Sequence, residues 1–148
     1  MSEISLSKFV NKISQIMPAI AREFMRRQTK DLYKNELTFS QFMVLNLLNL
    51  EGKKKMKDLA DSLKVTTANM TGMVERLIRQ KLVQRLFDPK DRRVIYVDLS
   101  PKGKMLIDRI EQNRRRILMK VFANLSESDR QQYLKILSKI RDIILEKK

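Results

Sequence analysis

The sequence predicts a mainly α-helical chain with a minor β component: about six helices, and a small sheet of two or three strands in the middle. Three observations carry this. Apolar residues recur at spacings of three and four through both terminal thirds. The 148 residues hold nine Met but only three Gly and three Pro, too few for a loop-rich or all-β protein. Two short β-branched runs, split by a charged turn-rich segment, lie between residues 82 and 99.

The first stripe is Ile4, Leu6, Phe9, Val10, Ile13, Ile16, Met17, Ile20 and Phe24. Pro18 lies inside it and is expected to kink the helix or to start a new one. Residues 30–37 are polar and read as a connection. Thr38-Phe39-Ser40-Gln41 is a capping-box signature, and an apolar helix follows through Leu50. Gly52 ends it as a candidate left-handed cap, and Lys53, Lys54 and Lys55 read as a loop.

Met56, Leu59, Ala60 and Leu63 outline a short amphipathic helix. A tight turn at Lys64-Val65 leads to Thr66 or Thr67 as N-cap. The next helix runs to about Gln80 with Met70, Val74 and Leu77 inward, flanked by Met73 and Ile78. Two short helices about a tight turn read as helix-turn-helix. Residues 82–87 and 94–99 are strand-like, and residues 88–93 form a charged turn between them. A hairpin directly after a helix-turn-helix makes a winged helix.

Ser100-Pro101 opens a further helix, with Pro in the tolerated first turn. Leu106, Ile110, Ile117, Val121 and Phe122 mark its apolar face. Ser126-Glu127-Ser128-Asp129 caps the last helix, whose stripe is Tyr133, Leu137, Ile140 and Ile144, with Ile136 and Ile143 beside it. The expected division is an N-terminal dimerisation helix at 1–37, a winged-helix domain at 38–99, and C-terminal dimerisation helices at 100–148. The outer stripes exceed what one winged helix needs to cover, so a homodimer is expected. Two-fold symmetry sets two recognition helices near one turn of DNA apart, which suits a palindromic site.

Lys and Arg total 32 against 17 acids, a net charge of +15. Such an excess favours polyanions. The excess peaks in the middle: Lys53 to Arg93 holds 12 bases and 5 acids, a net +7. That distribution favours double-stranded DNA over a membrane surface as partner. Cys and His are both absent. Thiol chemistry, Cys-based zinc sites and the usual general base are therefore excluded. No Gly-rich phosphate loop or nucleophile motif appears. The chain reads as no enzyme, with no cofactor and no metal. No apolar run approaches the roughly 20 residues of a membrane span, and no signal-peptide pattern opens the chain. A cytoplasmic location is expected.

The expected DNA-reading residues lie at the start of the second helix of the pair: Thr66, Thr67, Ala68, Asn69, Thr71 and Gly72, with Arg76 further along. An Asn amide can read adenine with both donor and acceptor, and Thr offers a hydroxyl and a methyl. An ordinary solvated face would carry more Glu and Lys, which are better helix formers. At the hairpin tip, Lys90, Arg92 and Arg93 are expected to reach the minor groove. Asp91 and Arg93 are expected to pair and stiffen the tip. Ser40 and Gln41, at a helix N-terminus, are candidate contacts to the DNA backbone. The run Arg114-Arg115-Arg116 reads as a solvated face. The competing reading is a non-specific architectural protein, motivated by the +15 charge.

These motifs resemble the MarR family of bacterial transcriptional regulators. The matching strings are Leu-Thr-Phe-Ser-Gln-Phe at 37–42, Leu-Ala-Asp-Ser-Leu at 59–63, Val-Glu-Arg-Leu at 74–77, Leu-Val-Gln-Arg at 82–85, Asp-Pro-Lys-Asp-Arg-Arg at 88–93 and Val-Asp-Leu-Ser-Pro-Lys-Gly at 97–103. The terminal helices fit by pattern only. The resemblance implies a triangular homodimer that typically represses promoters, although some members of the family activate them. It also implies a small phenolic or anionic effector, bound between dimer helices and winged helix, that releases DNA. Two positions depart from the family pattern. Lys81 stands where a Gly commonly follows the recognition helix, and a left-handed Lys costs about 1 kcal/mol or more. Gly72 stands where a longer DNA-facing residue is common, which passes base reading towards Asn69 and Arg76.

Overall fold

The computed structural model describes residues 3–146. Helix α1 runs from Leu6 to Lys34 as one element, Pro18 included. Pro18 supplies no N–H to the turn before it, yet the helix continues on both sides. The Ser5 hydroxyl caps its start by accepting from Lys8 N at 3.3 Å. The connection expected at 30–37 is shorter than the polar run implied. Helix persists to Lys34 because Leu32, 1% exposed, anchors that last turn in the core.

Helix α2 (Phe39–Glu51) begins with the expected capping box. Gln41 N donates to Thr38 Oγ1, and Thr38 N donates to Gln41 Oε1, both at 3.1 Å. Gly52 ends it at φ 80° and ψ −168°, a positive-φ region only Gly occupies freely, though not the left-handed helical one. The lysine run after it is not all loop. Lys54–Lys55 form a short edge strand, β1.

Helix α3 (Met56–Ser62) and helix α4 (Thr67–Arg79) are the helix-turn-helix pair, with Thr66 as the N-cap of α4. Strands β2 (Val83–Phe87) and β3 (Ile95–Leu99) pair antiparallel, with Val83 opposite Leu99 and Phe87 opposite Ile95. β1 adds on the far side of β3, Lys55 opposite Tyr96, giving the order β1-β3-β2. Helices α5 (Pro101–Phe122) and α6 (Glu127–Leu145) complete the six helices and three strands found among the described residues.

The chain forms two compact units, one ending at Ile110 and one starting at Glu111. The core belongs to the first. It joins Phe42, Val44, Leu45 and Leu48 of α2 to Leu59, Met70, Val74, Leu77, Leu82, Val83 and Val97. Leu32 and Leu37, and Leu106, Ile107 and Ile110 of α5, belong to the same buried cluster. The buried core is thus wider than residues 38–99. In the second unit the Phe122 and Tyr133 rings lie 5.6 Å apart. Arg130 Nη1 donates to the carbonyls of Phe122 and Leu125 and closes the turn between α5 and α6. Ser126 Oγ accepts from Asp129 N, as the cap motif predicted.

Three helices end on a left-handed residue that is not glycine: Glu36 (φ 57°), Lys64 (φ 54°) and Lys81 (φ 64°). Each completes a Schellman motif. At α4, Lys81 N donates to Ile78 O and Leu82 N to Leu77 O, both at 2.9 Å. Leu77 and Leu82 are both buried, which supplies the accompanying apolar contact. The turn therefore keeps its left-handed form despite the Lys.

Candidate nucleic-acid interface

The starting half of α4 is open on one side and packed on the other. Thr66, Thr67, Ala68, Asn69, Thr71, Gly72 and Arg76 are all exposed, whereas Met70, Val74 and Leu77 are fully buried. The 3.6-residue period makes this division, since the buried residues fall on one stripe. Two of the hydroxyls serve the helix itself. Thr66 Oγ1 accepts from Asn69 N at 3.1 Å, and Thr71 Oγ1 donates to Thr67 O at 2.8 Å. Among the described residues the Asn69 side-chain amide has no hydrogen-bond partner; only its backbone N–H is engaged, by Thr66 Oγ1. A Cβ added at Gly72 would meet nothing within 4 Å. Packing therefore does not require this glycine, although mid-helix Gly costs about 0.5–1 kcal/mol relative to Ala.

The hairpin tip is built by two aspartates. Asp88 Oδ1 accepts from Lys90 N at 2.8 Å and Asp91 N at 3.3 Å, folding the turn. Asp91 Oδ1 accepts from both Arg93 N and Arg93 Nε at 3.0 Å, and Asp91 Oδ2 accepts from Arg93 Nη2 at 3.2 Å. The Arg93 guanidinium and backbone N–H hold the Asp91 carboxyl below its usual range. The Arg93 side chain is nonetheless 90% exposed. The pair thus aims a cation outward while limiting its freedom. Lys90 and Arg92 beside it are exposed as well.

Gln41 and Ser40 part company. Gln41 is 3% exposed and its side chain is committed to the α2 cap, which leaves Ser40 as the exposed member of that pair. Several contributors were not picked out from sequence. The Glu75–Arg85 ion pair ties α4 to β2. Lys53 Nζ sits 4.6 Å above the Tyr96 ring. Phe87 and Ile95, opposite each other below the tip, are 61% and 42% exposed. The cross-strand register would have found that last pair, because it continues the face of Val83 and Val97 beyond the core.

The far end of α4 is interlocked rather than open. The Ser100 hydroxyl donates to Lys81 O at 2.6 Å and accepts from Gly103 N at 3.0 Å. Lys102 Nζ donates to Gln80 O, and Gln80 Nε2 to Glu36 O, both at 3.2 Å. A Cβ on Gly103 would lie 2.0 Å from Leu82 O, so α5 approaches this turn as closely as only Gly allows. The turn after α4 is thereby fixed to both α1 and α5. Among the described residues no group of His, Cys, Asp or Glu could hold a metal ion, and no helix is long and apolar enough to cross a membrane.

Comparison with known proteins agrees with this geometry. The family model described as MarR family matches residues 37–95. The chain is 34% identical over 107 residues to the HTH-type transcriptional repressor NicR of Pseudomonas putida, covering 72% of this chain and 68% of that one. A MarR family protein from Bacillus stearothermophilus superposes with a TM-score of 0.83 at 23% identity, covering 95% of this chain and 99% of that one. The Staphylococcus aureus MepR–DNA complex gives a TM-score of 0.74 at 22% identity, covering 88% and 98%. With the α2 capping box, the helix-turn-helix pair, β2 and the hairpin tip inside the matched segment, and a relative 34% identical over more than two thirds of both chains, the chain belongs to the MarR family of helix-turn-helix transcriptional regulators, which are not enzymes.

Proposed function

We propose that this regulator binds a palindromic double-stranded DNA operator as a homodimer in the cytoplasm, acts as a repressor, and is released by a small phenolic or anionic ligand. The observation that carries DNA recognition is a pairing of surfaces. An exposed, short-chained helix start with a free Asn69 amide lies in one compact unit with a cationic wing tip held by Asp91. Asn69 and Arg76 read base edges, Thr67 and Ser40 approach phosphates, and Lys90, Arg92 and Arg93 enter the neighbouring minor groove.

Support for the homodimer comes from uncovered apolar faces. On α1, Phe9, Val10, Ile16, Met17 and Ile20 are each about half exposed or more, and α6 has no buried residue at all. Such faces need a partner surface. Support for repression comes from NicR, a repressor by name.

Selection of bound duplexes from a random pool tests the reading, with and without candidate phenolic ligands. Recovery of a two-fold symmetric consensus, lost on adding one ligand, is the expected result. The +15 charge favours one rival, a non-specific architectural protein. Equal binding of the best selected duplex and a random duplex across a salt series would establish that rival instead.

A further inference from the structure

The hairpin carries an apolar pair that the fold does not use. Phe87 and Ile95 stand directly opposite each other on β2 and β3, 61% and 42% exposed. Successive strand residues face opposite sides of a sheet, so the pair shares a side with Val83, Arg85, Val97 and Leu99. On that side Val83 and Val97 are buried in the core, and Arg85 pairs with Glu75 of α4. The side of the hairpin that packs on α4 therefore continues past the core as an exposed apolar step. Lone exposed apolar residues are ordinary. Two directly opposed make a patch, and neither joins the buried cluster or the residues packed on it.

The tip fixes the place of this pair. Asp88 N donates to Val94 O and Val94 N to Asp91 O, both at 3.0 Å, which closes the turn directly on it. Phe87 precedes Asp88, and Ile95 follows Arg93 by two residues, about 7 Å of extended chain. The Arg93 side chain is 90% exposed and held by Asp91, with Lys90 and Arg92 exposed beside it. Both aspartates spend their carboxylates within the tip. The outward charge is therefore cationic, and its base is apolar. A DNA minor groove complements both parts. Its negative potential attracts the cations, and its walls are the C–H faces of deoxyribose.

We infer that Phe87 and Ile95 pack on the deoxyribose wall of the minor groove that the tip enters, and so seat the wing on the duplex. The inference rests on the entry of Lys90, Arg92 and Arg93 into that groove, as proposed above. The contact touches no base edge, so it positions the wing and leaves the consensus unchanged. It also neutralises no phosphate. Its share of the affinity is independent of salt, whereas the tip cations supply the salt-dependent share.

The test uses the full chain with labelled Ile δ1-methyls, bound to a selected duplex. Ile95 is assigned with Ile95→Val. Its methyl is expected to show nuclear Overhauser contacts to the H4′ and H5′ protons of deoxyribose. Contacts to thymine methyls alone, or none, would overturn the inference. So would an Ile95 methyl that shifts with protein concentration before DNA is added, because a second copy of the chain would then occupy the surface. Titrations across a salt series separate contact from mere support of the hairpin. Phe87→Thr/Ile95→Thr keeps strand-forming residues and keeps Arg93. Its affinity is expected to fall about tenfold with the salt slope of the parent, and Phe87→Leu alone is expected to lose little. A hairpin that had only lost support would release Arg93 too and lower the slope. That result, or affinity equal to the parent, overturns the inference. A parent that binds selected and random duplexes equally would overturn the operator reading alone, since sugar contacts remain measurable on any bound duplex.

Discussion

The two ends of α4 are built in opposite ways. At the start, Thr66 to Gly72 hold themselves in place with their own hydroxyls and expose every side chain but Met70. At the finish, Gln80, Lys81 and Leu82 are bonded or packed to Glu36, Ser100, Lys102 and Gly103. The difference teaches which changes act on binding and which on stability. A reading surface must be free until DNA arrives, whereas its anchor must already be satisfied. Substitutions at the start should alter binding with the fold intact, and substitutions at the finish should alter the fold first.

The largest effect expected is from Gly103→Ala. Its Cβ meets backbone at 2.0 Å, not a flexible side chain, so α5 and the α4 turn must separate. A loss of about 3 kcal/mol or more in denaturant unfolding is expected. A loss below about 1 kcal/mol would break the picture of a rigid anchor. Next, Asn69→Ala should weaken operator binding by about 1–3 kcal/mol in competition titrations and relax the preference at one base position. Its unfolding midpoint should stay within about 0.5 kcal/mol of the parent.

Smaller effects sharpen the comparison. Gly72→Ala and Lys81→Gly should each stabilise the fold, by roughly 0.5–1 kcal/mol, for opposite backbone reasons. Alanine at 72 removes mid-helix glycine freedom, and glycine at 81 relieves the left-handed conformation. Their effects on DNA should differ in kind. A methyl at 72 adds to the exposed face proposed to read DNA and should change base preference. The change at 81 removes one distant cation and should leave the consensus unaltered.

The smallest effect is a pH dependence at the wing. Asp91 is held below its usual value near 3.8 by Arg93. A depressed carboxyl stabilises the folded form above its unfolded pKa, and that contribution disappears as pH falls through the lower folded value. The order of the tip should therefore be constant near neutrality and be lost only in acid, below about pH 3.8. Carboxyl resonances should show the Asp91 midpoint rising towards 3.8 in Arg93→Ala.

Much of the winged helix was legible because its signals are local. The Thr38 capping box, the Thr66 cap, the Asp91–Arg93 pair and the Ser100-Pro101 start each involve residues four or fewer apart. The misses share a different cause. The end of α1 was hidden because Glu36 fills a place where glycine would have marked the stop, and because Leu32 is the lone apolar residue of a polar turn. Strand β1 was hidden because two lysines have no alternation to read; only pairing with Tyr96 and Val97 makes them a strand. Gln41 looked available, but helix packing buries it. The proposed role of α1 and α6 in dimerisation is supported by apolar faces left exposed on both helices.

α4 and the wing are proposed to read a specific operator. Such recognition is tested most directly by the affinity ratio between a selected duplex and a random duplex, measured at several salt concentrations for the parent chain and for Arg93→Ala. A ratio of at least about a thousandfold is expected for the parent. For Arg93→Ala, weaker binding, a smaller salt slope, and an unchanged fold and dimer are expected. A parent ratio near one, or an Arg93→Ala variant that binds the selected duplex as tightly as the parent, would contradict it.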